Sequence, residues 1–309
     1  MNEWKNIKPK KQTVNEIVKQ MRSTAFNARK LAEATDIVEE MIKDDSCKRF
    51  LGLSGAMVPA GMRMCVVEMI RRRWIDIIVS TGANITHDIA QSYGEEYIQC
   101  DPNEVKDLEL RKKGYDRIYD VASRIETMTT MEKYIQKILN NIPDGEYSTF
   151  DLLYEIGKRI DDSDSIIKCA SINKVKIIVP ALIDSILGIQ IWMNSQSRYL
   201  KIDVTKDLDY VINLNFDLKK EGKKTGAFIL GGGVPKNFIL QSVLVPDKPH
   251  NYVVQVTVDT PQYGGLSGAT LEEALSWGKI DEESKICTLY CDATIALPLI
   301  VSTLIERFE

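Results

Sequence analysis

Six short apolar runs, each closing on small or polar residues, constrain this 309-residue chain more than any other feature. They are RFLGLSGA (49–56), IDIIVSTGAN (75–84), KVKIIVPALID (174–184), GAFILGGG (226–233), NYVVQVTVD (251–259) and KICTLYCDAT (285–294). A strand that is apolar along its whole length is covered on both faces, and helices between such strands supply the cover. GMRMCVVEMIRRRW (61–74), MEKYIQKILNNI (131–142) and FDLLYEIGKRI (150–160) fit as those helices. The pattern predicts an α/β fold, a doubly wound and mostly parallel sheet with helices on both faces. Ahead of it, residues 13–44 read as one helix, opened by a Thr13/Glu16 capping box, with Ile17, Met21, Leu31 and Ala32 at helical spacing. The expected division is an N-terminal helical extension (1–44) followed by a single domain (45–309).

Composition excludes several classes. The net charge is -4 and the densest basic run, Ile70 to Trp74, is short, which argues against a nucleic-acid surface. Six cysteines are scattered with no Cys-x-x-Cys pair. With no apolar run at the start of the chain, they predict a reduced, cytoplasmic protein. No stretch approaches the roughly 18 apolar residues of a membrane span. The two histidines, His87 and His250, stand far apart, so no metal site is expected. RIDDSDS (159–165) lacks the glycine and distal glutamate of a calcium loop and reads as a helix-ending turn.

Ligands of open parallel sheets bind beyond the C-terminal ends of strands. Here those ends read STGAN (80–84), LGGGVPKN (230–237) and YCDAT (290–294). Gly231, Gly232 and Gly233 let a backbone approach a ligand closely, and Pro235 suits the first turn of the next helix. Lys236 stands where a dinucleotide fingerprint wants a third glycine, so a phosphate cradle and a plain tight turn both remain open. Asp184 and Asp292 suit ribose hydroxyls or helix caps equally. Together the three ends favour a nucleotide site.

A further stretch, GATLEEALSWGKIDEE (268–283), combines a Thr270/Glu273 capping box with a helix stop at Gly278. Glu273 and Trp277 stand four apart on one face, a carboxylate and an indole suited to an organic cation, and Lys279 follows as a candidate nucleophile. The plainer alternative is a capped surface helix with Trp277 packed inward and Lys279 solvated.

Assembled in order, FLGLSGAMVPAG, IDIIVSTGANITHDI, VPALIDSILG, FILGGGVPKN, GGLSGATLEEALSWGKI and YCDATIALP resemble deoxyhypusine synthase and its relatives over roughly residues 14–306. EALSWGKI is the most specific of these motifs and ILGGGVPK the next. The resemblance implies a Rossmann-like, NAD-binding catalytic domain that transfers an aminobutyl group from the polyamine spermidine. It implies that Lys279 attacks an imine, expels diaminopropane and holds the butylamine fragment as a Schiff base until an acceptor amine displaces it. Hydride passes to NAD at the start and returns at the end. Glu273 would hold an ammonium end and Trp277 would provide an apolar wall and a cation–π face worth about 0.5–2 kcal/mol. Ser267 and Asn237 would line the substrate pocket. Thr81, Gly82, His87, Asp184, Gly231, Gly232, Gly233 and Asp292 would contact NAD. The implied acceptor is a lysine of the hypusine-carrying translation factor, or a free diamine as in homospermidine-forming relatives. The implied assembly is a homotetramer of dimers with shared active sites, binding neither nucleic acid nor membrane.

Several positions depart from the family's eukaryotic pattern. Asn237 replaces a histidine, Ile189 and Leu266 replace aspartates, and His87 replaces a glutamate at the cofactor loop, where a helix-cap or interface role is equally open. These changes look like those of the prokaryotic deoxyhypusine synthase-like branch. They leave the exact donor and acceptor open, as well as a non-catalytic NAD-binding paralogue. Whether the Lys-rich segment 1–12 covers a neighbouring active site is also open.

Overall fold

Each of the six apolar runs contains a strand in the computed structural model, which describes residues 4–309. β1 (Cys47–Leu53), β2 (Ile77–Ser80), β3 (Lys224–Leu230), β4 (His250–Thr257) and β5 (Ile280–Tyr290) lie in the order β5-β4-β3-β1-β2. The β1–β3, β3–β4 and β4–β5 pairs are parallel, and Phe50, Ala227, Val253 and Ile286 stand in one row across them. Phe50, Leu51, Ile78, Phe228, Ile229 and Val254 are at most 1% exposed, which is why their strands carry no polar alternation. Burying each such side chain contributes about 1.5–3 kcal/mol before the cost of ordering it.

Two glycines show that helices cover both faces of this sheet. A Cβ at Gly226 of β3 would lie 2.6 Å from the Met41 sulfur on the Phe26–Lys43 helix. A Cβ at Gly52 of β1 would lie 3.2 Å from Ile239 on the Gly233–Gln241 helix. Gly52 is opposite Ile229, and Ile229 faces away from Gly226 because the strand period is two. The expected α/β class with a parallel sheet is therefore what the chain adopts.

The chain divides into two compact units. The first holds this sheet and comprises the residues up to Ser54, then Arg73–Val79 and Leu208–Glu309. The second comprises Gly55–Arg72 and Ser80–Asp207.

In the first unit, the single helix expected over residues 13–44 is two, Val14–Met21 and Phe26–Lys43. The Thr13/Glu16 capping box is present. The break follows from Thr24, whose hydroxyl bonds back to the Met21 carbonyl at 2.6 Å, and from Phe26, which takes a left-handed φ of 55°. The Glu306 carboxylate accepts from the Val14 and Asn15 amides, tying the C-terminal helix, Ala293–Phe308, to the N-terminal one. Three residues of the Lys-rich segment lie outside the described residues; beyond them, Lys5 and Lys8 donate their amides to Ser23 O and Gln20 Oε1.

The second unit packs the helices Arg63–Arg71, Gly82–Ser92, Thr149–Gly157 and Ile166–Asn173 around a buried ion pair. Asp88, fully buried, receives Arg63 Nε at 2.7 Å, Ser165 Oγ at 2.7 Å and the Ile166 and Ile167 amides at 3.0 Å each. The acidic loop turns out of the Thr149–Gly157 helix, and its carboxylates are taken up by arginines, Asp162 by Arg63 and Asp164 by Arg71. The run at 174–184 is strand only over Lys176–Ile178. Among the described residues no group of His, Cys, Asp or Glu is placed to hold a metal, and no helix is long and apolar enough to cross a membrane. All six cysteines are free thiols.

Candidate active site

The first unit's site is built at the C-terminal end of β3. The chain leaves Leu230 through Gly231 (φ 79°) and Gly233 (φ 56°), conformations that glycine adopts without a Cβ penalty. Gly232 is required for a different reason. A Cβ there would lie 2.3 Å from Ser267 Cα, so the glycine turn and the Ser267 loop touch backbone to backbone. Gln255, 1% exposed at the end of β4, locks the two together by donating to Gly231 O and Ser267 O at 2.9 Å each. Ser54, just past β1, donates to Gly232 O. The Gly233–Gln241 helix begins here without a side-chain cap, so its first amides point outward unsatisfied by the protein's own side chains. A glycine turn followed by such a helix start fits the pyrophosphate of a dinucleotide.

Beside this turn runs a cleft of about 350 Å³. Lys236 and Asn237 from the Gly233–Gln241 helix line one side, and Glu273, Trp277 and Lys279 line the other. The helix that carries Glu273 spans Leu271–Ser276 and is capped by Thr270, whose hydroxyl accepts from the Glu273 amide at 3.1 Å. Only this half of the expected capping box forms; the Glu273 side chain lines the cleft instead. Trp277 ends the helix and Gly278 (φ 66°) reverses the chain. Lys279 is then pinned through its backbone, its amide to Ala274 O and its carbonyl to the His250 amide. The inward packing that the plainer reading gave Trp277 does not occur: the indole is 63% exposed, with Lys279 Nζ 5.5 Å from its ring centre.

Lys236 is the site residue that sequence reasoning passed over. Its side chain is 3% exposed and its ammonium donates to Ala269 O. Burial pushes its pKa down to about 8, against the pull of Glu273 and with the push of Lys279. A signal was present, since a lysine in the first turn of a helix opposes the helix dipole and needs a reason to be there.

The remaining candidates are distributed as follows. Asp292 caps the Ala293–Phe308 helix, accepting from Thr294 N at 2.7 Å, and is exposed. In the second unit, Thr81 caps the Gly82–Ser92 helix and donates to Gly55 O at 2.9 Å. Gly82 lies against the next turn, where a Cβ would be 2.5 Å from Ser185 Cβ. Ser185, not Asp184, caps the Ile186–Ser195 helix, and Asp184 stands exposed beside it. His87 lies within its helix and so does not cap it; its Nδ1 is 2.9 Å from Tyr97 OH, which donates to Glu95. The structure thus gathers Asn237, Glu273, Trp277 and Lys279 in one cleft with Ser267 and Gly231–Gly233 alongside, and gathers Thr81 and Gly82 with the 182–185 turn. Leu266 lines the cleft, half exposed, whereas Ile189 is exposed on the Ile186–Ser195 helix.

A sequence model of one family, deoxyhypusine synthase, matches residues 16–304. "Probable deoxyhypusine synthase 1" of Methanosarcina acetivorans is 43% identical over 297 residues, covering 96% of this chain and 92% of that one. A protein of the same name from Archaeoglobus fulgidus is 44% identical over 296 residues, covering 95% and 94%. Among solved structures, an Entamoeba histolytica protein described under the name deoxyhypusine synthase superposes with a TM-score of 0.63 at 20% identity, over 95% of this chain and 93% of that one, a likeness of fold.

Proposed function

The chain belongs to the deoxyhypusine synthase family, a family of transferases, and from that premise we propose that it transfers an aminoalkyl group from an aliphatic amine to an acceptor amine through a covalent imine on Lys279. The observation that carries this reading is the cleft itself. A half-buried lysine, an exposed indole and a carboxylate converge in a space of about 350 Å³, next to a glycine turn that suits a dinucleotide phosphate.

NAD, when bound, accepts a hydride from the donor and returns it to the final imine. The protein's own residues do the rest. Glu273 neutralises an ammonium group of the donor and so fixes which carbon lies by Lys279. Trp277 covers the alkyl chain. Lys279 adds to the oxidised carbon, the original amine leaves, and the fragment is held as a Schiff base until the acceptor amine displaces it. Arginine would not serve at this position, since it stays charged and is a poor nucleophile. Lys236 has the lowered pKa but is the weaker candidate for attack, because its ammonium is buried and already bonded to Ala269 O.

The fuller reading assigns spermidine as the family's donor, the lysine of the hypusine-carrying translation factor as acceptor, a cytoplasmic location and a homo-oligomer. Support for self-association comes from the second unit. The Ile186–Ser195 helix exposes Ile189, Trp192 and Met193 on one face, too large an apolar surface to leave in water without a partner. Lys279→Ala separates the steps. It is expected to bind NAD as the wild type does and to release no leaving amine; turnover retained in this variant would refute the covalent route.

A further inference from the structure

Two histidines are the chain's whole supply of imidazole, and their hydrogen bonds assign them opposite tautomers. His250 is fully buried, and its Nε2 lies 3.2 Å from Ile239 O, a carbonyl that can only accept, so Nε2 carries the proton. His87 is held by its other nitrogen. The chain leaves the Gly82–Ser92 helix through Gly94 (φ 93°), the Glu95 amide bonds back to Ala90 O, and the Glu95 side chain is fully buried. The Tyr97 hydroxyl stands between them, 3.0 Å from Glu95 Oε2 and 2.9 Å from His87 Nδ1. Glu95 Oε1 is buried with no hydrogen-bond partner, so among the described residues Tyr97 is the one donor this carboxylate has. Burial, and next the charge of Glu95, pushes the Tyr97 pKa well above its usual range, so the hydroxyl keeps its proton. A hydroxyl has one proton to give. With Glu95 taking it, the 2.9 Å contact is a hydrogen bond only when His87 Nδ1–H donates to the Tyr97 oxygen. Nε2 then bears the lone pair; it bonds to no described residue, and the ring is 12% exposed.

Resting on the transfer proposed above, we infer that Glu95 and Tyr97 are positioning residues that hold His87 in its Nδ1–H form, with Nε2 open to take a proton from the amine donor. An aliphatic amine is an ammonium at neutral pH, and its carbon gives up hydride only when the nitrogen offers a lone pair. His87 Nε2 takes that proton and the ring becomes an imidazolium. The carbon–hydrogen electron pair then leaves as hydride for NAD, and an iminium remains on the donor. Lys279 adds to its carbon, the original amine leaves, and the acceptor amine displaces Lys279. When hydride returns to the new iminium, the imidazolium gives its proton to the secondary amine that forms, so His87 and NAD both end as they began. A proton already sitting on Nε2 would block the first step. His250 cannot take over, being fully buried with its Nε2 committed to Ile239 O.

The test uses the full chain with isotopically labelled imidazole nitrogens, because N–H and lone-pair nitrogens resonate far apart in nitrogen NMR. The neutral rings are expected to show one Nδ1–H and one Nε2–H tautomer, and the Nδ1–H signals should vanish in His87→Gln, which assigns them. Glu95→Gln puts an amide donor beside the Tyr97 oxygen, frees the hydroxyl proton for Nδ1 and is expected to move the His87 proton to Nε2. Single turnovers with saturating NAD and spermidine, read as NADH formed, are expected to slow about 100-fold in His87→Gln and about tenfold in Glu95→Gln and Tyr97→Phe, with NAD affinity unchanged. Thermal melts establish that each variant folds, and Glu95→Gln decides the matter should Tyr97→Phe not fold. A wild-type His87 with its proton on Nε2 overturns the inference and leaves the Lys279 reading standing. So does NADH formation at the wild-type rate in His87→Gln, or in Glu95→Gln once its tautomer has moved. Neither NADH nor a Lys279 adduct from the wild type with NAD bound overturns the Lys279 reading, and the proton-acceptor role with it.

Discussion

At the scale of single residues, two lysines of the candidate cleft and one buried histidine outside it can be tested separately. Lys279 is held by its backbone with its side chain free to meet a substrate, whereas Lys236 is held by its side chain. Lys236→Met removes a buried cation from the cleft and is expected to change KM for the amine donor more than it changes folding, measured as KM of variant against wild type beside the shift in thermal melting. Gly232→Ala is expected to be far more damaging, because the added carbon would meet the Ser267 backbone; denaturant unfolding of this variant should show a loss of several kcal/mol or no folded protein. His250, fully buried beside Phe50, is depressed to about 4 by burial and, secondarily, by Lys248, and its Nδ1 has no hydrogen-bond partner. It is neutral when folded and titrates near 6.5 when unfolded, so the unfolded chain binds the extra proton between those values. Its contribution to stability is present above pH 6.5 and is lost as pH falls toward 4, by about 3 kcal/mol across the window. Asp207, raised to about 6 by burial, acts with the opposite sign but is common to both chains in a comparison of wild type with His250→Gln. Urea melts between pH 7 and pH 4.5 should give the wild type the steeper loss; parallel slopes would contradict the assignment.

At the scale of elements, short segments are placed by a few polar contacts each. The Leu271–Ser276 helix has fewer than two turns and depends on its Thr270 cap, so Thr270→Ala should cost about 1 kcal/mol and reduce kcat/KM by displacing Glu273 and Trp277. In the second unit Asp88 joins two helices and starts a third; Asp88→Ala leaves Arg63 buried with Asp162 as its remaining carboxylate and should cost about 3–5 kcal/mol in urea unfolding. The strands were legible because two-sided burial demands unbroken apolar runs, and the Gly278 stop was legible because a left-handed residue ends a helix. The break at Arg22–Ala25 was not. Thr24 bonding back to Met21 and a phenylalanine at positive φ leave no mark in hydrophobic spacing. The hairpin of Tyr115–Ile118 with Val121–Arg124 escaped for a related reason: its residues are mostly half-exposed and mixed in polarity.

At the scale of the whole molecule, the candidate catalytic cluster was readable because its residues are adjacent in sequence, within Glu273–Lys279. Lys236 was not, because its role depends on burial against a loop more than thirty positions away, at Ala269. The two-unit organisation leaves no compositional trace either, since the chain crosses between units near two strand ends, after the Arg63–Arg71 helix and within the Val204–Lys220 helix, with no Gly/Pro-rich linker. Self-association is a prediction at this scale. Light scattering should give a mass well above the 35.0 kDa of one chain, and Trp192→Asp on the exposed helix face should reduce it. The central claim is that one lysine of the two in the cleft becomes covalently attached to the donor. Trapping with borohydride in the presence of NAD and an aliphatic amine donor, followed by peptide mapping, decides it directly. The account predicts the reduced adduct on Lys279 with Lys236 unmodified; an adduct on Lys236, or product formed with neither lysine labelled, would contradict it.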